Sequence, residues 1–277
     1  GALPYLSEAE LVQALKRDAD SKIRRMSLEW MERNGMSKAL SMAEMVLGRV
    51  TYFGGERAVA ARMVAEAKGS KAMASFVKLA KKRDVTQEDL RREMARLIST
   101  FDDAKTQKRA AGLIGKGKPH EKVFALRATV KINTPKALAA VRKCLKDKDV
   151  SVRRAAGEAL AARRDPLAVP ALRDLMANAK GPEDIRIAIE AINAIEGPMS
   201  AWLKELVGYT THEDRDVRNA AMEVLRDARD KRQIEPLMVA LEHPDWSTRL
   251  LAIEAMAGLK QATPVGKLVE RMSKESG

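Results

Sequence analysis

Several groups of residues in this 277-residue chain have types and spacings that could carry chemistry. Gly112, Gly117 and Lys118, within GLIGKGKP, satisfy the G-x-x-x-x-G-K spacing of a phosphate-binding loop. Such a loop turns backbone N–H groups toward phosphate and follows its lysine with Ser or Thr for magnesium; here Pro119 follows, and QKRAAGLI before it reads as helix, not strand. Glycines that end one helix and a proline that opens the next explain the segment better. Three histidines are present, and His212 and His243 lie 31 residues apart without H-x-x-x-H or C-x-x-C spacing anywhere, so no metal site is expected. Glu158, Glu190, Glu223 and Glu254 recur at similar intervals, which marks a structural or solvated role rather than a unique acid–base pair. TYFGG, from Tyr52 to Gly55, reads as a turn whose aromatic rings either pack on a neighbouring element or form a binding loop. No catalytic residue and no cofactor are assigned.

The elements that would position these groups follow from composition and spacing. Apolar residues make up 45% of the chain and aromatics only 4%, while charged residues at 32% argue against a sparse, disordered chain. Ala, Leu, Met, Lys, Arg and Glu dominate, and these lose little rotamer freedom in a helix, so the fold is expected to be all-α. Cys144 is the single cysteine, which rules out an internal disulfide, and its apolar setting suits a small buried hydrophobe. No run of about 18 apolar residues offers a membrane span, so membrane insertion is not expected. A cytoplasmic location is expected; a chain that starts at Gly1 is also compatible with a leader that has been removed.

A repeat runs through the sequence. DVSVRRAAGEAL from Asp149, DRDVRNAAMEVL from Asp214, DWSTRLLAIEAM from Asp245 and DSKIRRMSLEWM from Asp20 share one pattern. Each has a β-branched residue three positions after Asp, Arg at four, a small residue at seven and apolar residues at ten and eleven. Including Val59, Leu90, Val123 and Ile185, eight anchors are spaced by 36, 31, 33, 29, 33, 32 and 31 residues. Apolar positions at i, i+4, i+7 and i+8 form one helical face. The aspartate suits an N-cap, and Pro170, Pro236 and Pro264 fit the first turn of a second helix in each unit. A lone hairpin would leave its apolar face in water; stacking hides it.

CLKDKDVSVRRAAGEALAARRDPLAVPALRDLM resembles the HEAT-like repeat of the phycobilisome-lyase class, in its D-x-x-V-R-x-x-A-x-x-A-L helix, short turn and P-x-L-x-x-L helix. The resemblance is clear from Lys136 to the end and over Asp20–Met31, and degraded between Met36 and Lys118. It implies an α-solenoid, a right-handed, armadillo-like superhelix of about eight hairpins, with second helices lining a concave groove. The whole chain, 1–277, is expected to be one solenoid, with divergent, more basic repeats over 1–118 and regular repeats over 119–277. HEAT-like DNA glycosylases use concave tryptophans; here Trp30 falls at a core position, Trp246 in a first-helix turn, and only Trp202 on a second helix, so that activity is not carried over.

The remaining candidates are charges. Arg24, Arg153, Arg186, Arg218 and Arg249, with Asp20, Asp149, Asp214 and Asp245, are expected to bridge neighbouring turns as a structural ladder; an exposed anion-binding ladder is the alternative. The formal net charge is +13, with 24 Lys/Arg against 15 Asp/Glu up to Lys118 and 27 against 23 beyond it. Lys71, Lys78 and Lys82, with Lys81 and Arg83 beside them, then Lys105, Lys108 and Arg109, then Arg142, Lys143 and Lys146, would form a partner-binding basic track if second helices line the groove, and ordinary solvated surface otherwise. Eight of the fourteen methionines lie in the first 94 residues, as core filler or as an adaptable binding surface. The expected function is that of a non-enzymatic, monomeric scaffold binding a protein partner in its groove. The alternatives are a nucleic-acid-binding solenoid that uses the basic track and, from the resemblance alone, a bilin-lyase-like chaperone.

Overall fold

The computed structural model describes residues 6–49, 51–52, 55–80, 88–101, 103–128, 134–197, 202–228, 234–259 and 266. Among them are sixteen α-helices and no strand. The even-numbered helices are α2 (Ser21–Arg33), α4 (Glu56–Lys68), α6 (Glu88–Ile98), α8 (Pro119–Ala128), α10 (Val150–Arg163), α12 (Pro182–Glu196), α14 (Arg215–Ala228) and α16 (Trp246–Gly258), and each holds one of the eight anchors. The odd-numbered helices are α1 (Glu8–Arg17), α3 (Ala39–Gly48), α5 (Ala72–Ala80), α7 (Ala104–Lys116), α9 (Pro135–Lys143), α11 (Val169–Ala177), α13 (Leu203–Val207) and α15 (Ile234–Leu241). The architecture is the expected all-α stack of helical hairpins. The chain divides into two compact units, Gly1–Ala140 and Val141–Gly277.

In the first unit α2, α4, α6 and α8 lie side by side, and α1, α3, α5 and α7 each pack on the even helix that follows. The hairpin is therefore an odd helix and its following even helix, so each repeat begins one helix earlier than the anchor pattern suggested. α3 packs far more closely on α4 than on α2. Its core runs from Leu11 and Leu15 of α1 through Leu28, Val46, Val64, Met73 and Phe76 to Met94 and Ile98 of α6. Each fully buried side chain of this size contributes about 1.5–3 kcal/mol. Met63, Met73 and Met94 are core residues, and Met36, Met42 and Met45 pack partly buried against them.

In the second unit α10, α12, α14 and α16 lie side by side, with α11, α13 and α15 on the even helices that follow them. Val152, Leu160, Leu172, Ile187, Ile192, Val217, Leu225 and Leu237 are buried, as are Cys144 and Trp202. α10 and α12 approach closely at Gly157, where a Cβ would stand 2.6 Å from Ile187 Cγ2. The small residues Ala155, Ala156 and Ala159 flank that contact on the buried side of α10.

Candidate interaction surface

The turns leading into the even helices share one construction. Asp20, Asp149 and Asp245 are N-caps whose side chains accept from the backbone N–H of Lys22 at 2.7 Å, Ser151 at 2.9 Å and Ser247 at 3.0 Å. Asp214 accepts likewise from Asp216 at 2.9 Å and Val217 at 3.2 Å. Two residues earlier stands a second acceptor, which receives the capping residue's own N–H: Asp18 at 2.8 Å, Asp147 at 3.0 Å, His212 Nδ1 at 3.0 Å and His243 Nδ1 at 3.1 Å. The two histidines occupy equivalent turns, where Nδ1 accepts the N–H that an aspartate oxygen accepts elsewhere. The D-x-D and H-x-D spacing was visible in the sequence at all four turns; only its meaning as a paired backbone acceptor was not.

The arginine four residues after the cap grips the same turn. Its Nη1 donates to the carbonyl six residues back: Arg24 to Asp18 at 2.7 Å, Arg153 to Asp147 at 2.8 Å, Arg218 to His212 at 2.8 Å, Arg249 to His243 at 3.0 Å. Three of these then reach the next even helix. Arg24 pairs with Glu56 at 2.7 Å, Arg153 with Asp184 at 2.6 Å, and Arg218 with Asp245 at 2.5 Å and Thr248 Oγ1 at 2.9 Å. Only Arg218 uses the neighbouring cap aspartate; Arg24 and Arg153 use an acidic residue inside the following helix. All three arginines are buried. Tyr52 is buried beside the first, with the Arg24 guanidinium 4.1 Å from its ring centroid and its hydroxyl donating to the Leu15 carbonyl at 2.7 Å.

Arg186 departs from this scheme. α12 starts from Gly181, so Ile185 occupies the gripping position and Arg186 is the next residue along. It lies half-exposed and pairs within its own helix, with Glu183 and Glu190, each at 3.0 Å.

Of the basic candidates, Lys71, Lys78, Lys105, Lys108, Arg109 and Lys143 are exposed, as is Lys146, which pairs with Asp174 at 2.9 Å. Arg142 is engaged with the buried Asp165 at 2.6 Å. Lys81, Lys82, Arg83, Phe53, Gly54 and Pro264 lie outside the described residues. At the phosphate-loop-like segment α7 ends at Lys116, Gly117 caps it, and the Lys118 N–H donates to Glu121 at 2.8 Å ahead of α8. Gly117 is needed there because a Cβ would meet the Leu113 carbonyl oxygen at 2.5 Å. Among the described residues no three His, Cys, Asp or Glu are gathered in a way that could hold a metal, and no helix is long and apolar enough to cross a membrane. A cavity of about 390 Å³ in the second unit is lined by Lys146, Asp147, Arg153, Asp174, Lys180 and Asp184, among others.

What the even helices of the second unit turn outward forms a grid. Their first residues are Val150, Pro182, Arg215 and Trp246; their fifth are Arg154, Arg186, Asn219 and Leu250; their ninth are Glu158, Glu190, Glu223 and Glu254. These positions are exposed or half-exposed. Arg154 pairs with Glu183 at 2.6 Å and Arg226 with Glu254 at 3.6 Å. Partial burial lifts the Glu190 carboxyl above its ordinary value; Arg186 opposes the shift, while Glu183 and Glu223 add to it. Sequence spacing identified the glutamate recurrence, while Trp246 as its exposed neighbour needed the helix geometry.

By division at the structural boundary, residues 1–140 hold 28 Lys/Arg against 16 Asp/Glu, a net +12, and residues 141–277 hold 23 against 22, a net +1.

A family model described as HEAT repeats matches residues 106–193 and 200–277. No curated protein matches the chain. Similar solved structures include a crystal structure of an engineered protein, 20% identical, covering 92% of this chain and 99% of its own with a TM-score of 0.41. A second engineered protein is 20% identical over 91% of this chain and 96% of its own, TM-score 0.42. A third is 18% identical over 97% and 82%, TM-score 0.43.

Proposed function

Because the chain belongs to the HEAT-repeat family, whose repeats serve in general as protein-interaction scaffolds, we propose that it is a non-enzymatic scaffold that holds a protein partner on the outward face of its even-numbered helices. The observation that carries this reading is a division of labour along those helices. The fourth residue in α2, α10 and α14 is an arginine consumed by its turn and the next helix. In α10, α12, α14 and α16 the first, fifth and ninth residues are exposed or half-exposed. Stacked hairpins of this kind offer area rather than a deep pocket. Affinity capture from source lysate, with and without nuclease, is the test. A specific protein retained after nuclease treatment is the expected result; material that disappears with nuclease would sink the reading.

A second reading, nucleic-acid binding, has its own observation: the +12 of residues 1–140 and the exposed Lys71, Lys78, Lys105, Lys108 and Arg109 within them. It requires affinity that falls steeply with salt, as neutralised phosphates release counterions.

A further inference from the structure

The outward rows of the second unit change character at their last helix. Along the fifth-residue row the side chains run Arg154, Arg186, Asn219, Leu250, and along the first-residue row Val150, Pro182, Arg215, Trp246. On α16 both outward positions are therefore large and apolar, and they are neighbours at i and i+4. Trp246 is 63% exposed and Leu250 44% exposed. An indole and an isobutyl group side by side in water form the kind of anchor that dominates protein interfaces, where Trp is enriched among energetically central residues.

One turn further along α16 comes Glu254, the last member of the glutamate row, followed on α14 and α12 by Glu223 and Glu190. This row is short of cations. Glu254 has Arg226 at 3.6 Å, a side chain that also reaches Asp227 at 3.4 Å. Glu190 has Arg186, which it shares with Glu183, and is attracted by Arg154, which itself pairs with Glu183 at 2.6 Å. Glu223 has no cation within ion-pair distance among the described residues. The neighbours Glu190 and Glu223 also repel each other. A cation laid along the row relieves that repulsion, and an anion worsens it.

We propose that this corner of the second unit is a docking surface for a lysine- or arginine-rich segment of a partner protein, with an apolar side chain seated on Trp246 and Leu250 and successive cations over Glu254, Glu223 and Glu190. The proposal rests on the scaffold reading above and names the partner's chemistry. The spacing follows from the helices. Packed helices stand about 8–10 Å apart, and an extended chain advances about 3.3 Å per residue. A basic residue at every third position therefore meets successive glutamates, with the apolar residue at the end of the series that lies over α16.

The test uses the full chain and a fluorescein-labelled 13-residue peptide, an extended Gly/Ser backbone with lysine at every third position and leucine at one end, read by fluorescence anisotropy. The expected result is saturable binding that the Trp246→Ala/Leu250→Ala pair weakens at least tenfold. The triple change Glu190→Gln, Glu223→Gln and Glu254→Gln should weaken it comparably and reduce its salt dependence, and the same peptide with glutamate in place of lysine should not bind. All five positions are exposed, so circular dichroism should show both variants folded. Absence of binding by the lysine peptide, or binding unchanged in either variant, overturns the proposal. Concentration-dependent self-association of the chain, abolished by Trp246→Ala/Leu250→Ala in sedimentation, overturns it in favour of a second copy as occupant. A protein captured from lysate and retained by both variants removes this inference but leaves the scaffold reading standing; capture of only nuclease-sensitive material removes the scaffold reading itself.

Discussion

Arg153 and Asp184 are among the deepest ionic contacts in the chain, with side chains 6% and 1% exposed. Replacing Arg153 by methionine keeps the aliphatic volume and leaves the Asp184 carboxylate buried without its cation. Breaking such a pair from one side costs about 3–5 kcal/mol, so Arg153→Met should move the urea midpoint strongly. Arg186→Ala, which removes only half-exposed pairs within α12, should cost less than about 1 kcal/mol; equal shifts for the two would contradict the register assigned to α12. Asp245 supplies a pH signature. Its bonds to the Ser247 hydroxyl and N–H, with the Arg218 guanidinium, bring its carboxyl down to about 2. A carboxyl held lower when folded contributes stability above its unfolded value of about 3.9, and that contribution fades as pH falls toward 2. Stability measured between pH 5 and 2 should therefore drop more steeply in the native chain than in Asp245→Asn; parallel curves would refute this role.

At the scale of helices, Gly157 and Gly112 should respond oppositely to the same change. Alanine in place of glycine in a helix is worth up to about 1 kcal/mol. At Gly112 on α7 a Cβ meets nothing within 4 Å, so Gly112→Ala should stabilise. At Gly157 the new methyl collides with Ile187 Cγ2 on α12, a β-branched side chain with little rotamer freedom. Overpacking of about 1–3 kcal/mol then outweighs propensity, and thermal melts should show Gly157→Ala destabilised unless Ile187 is also shortened. The even helices were legible in the sequence because Asp, the β-branched residue and Arg recur with the period of a stacked hairpin. Hairpin pairing was not, since nothing in the anchor spacing says whether α3 leans on α2 or α4. The register of α12 was missed for a related reason: Ile185–Arg186 imitates the Val–Arg dyad, while Gly181 offers no capping side chain to fix the start. The basic track was legible as charge, but its exposure and the engagement of Arg142 by Asp165 depend on folding.

Across the whole chain, the uneven charge is the property with a direct solution readout. With net +12 in residues 1–140 and +1 beyond, heparin retention should depend on the first unit. Charge reversal at Lys71, Lys78 and Lys108 should lower the salt needed for elution, whereas Glu190→Gln, Glu223→Gln and Glu254→Gln should not. The buried arginines add a vectorial property. Each of Arg24, Arg153 and Arg218 reaches toward the helix that comes later in the chain, to Glu56, Asp184 and Asp245. Damage at the two ends of a run is therefore unequal. Loss of α16 leaves Arg218 holding only the carbonyls of its own turn, whereas loss of α10 leaves the Asp184 carboxylate with the Lys180 N–H. At these three joints the later helix takes the acidic partner away and the earlier one takes the cation, so each joint works like a zip fastener whose two ends do not open alike.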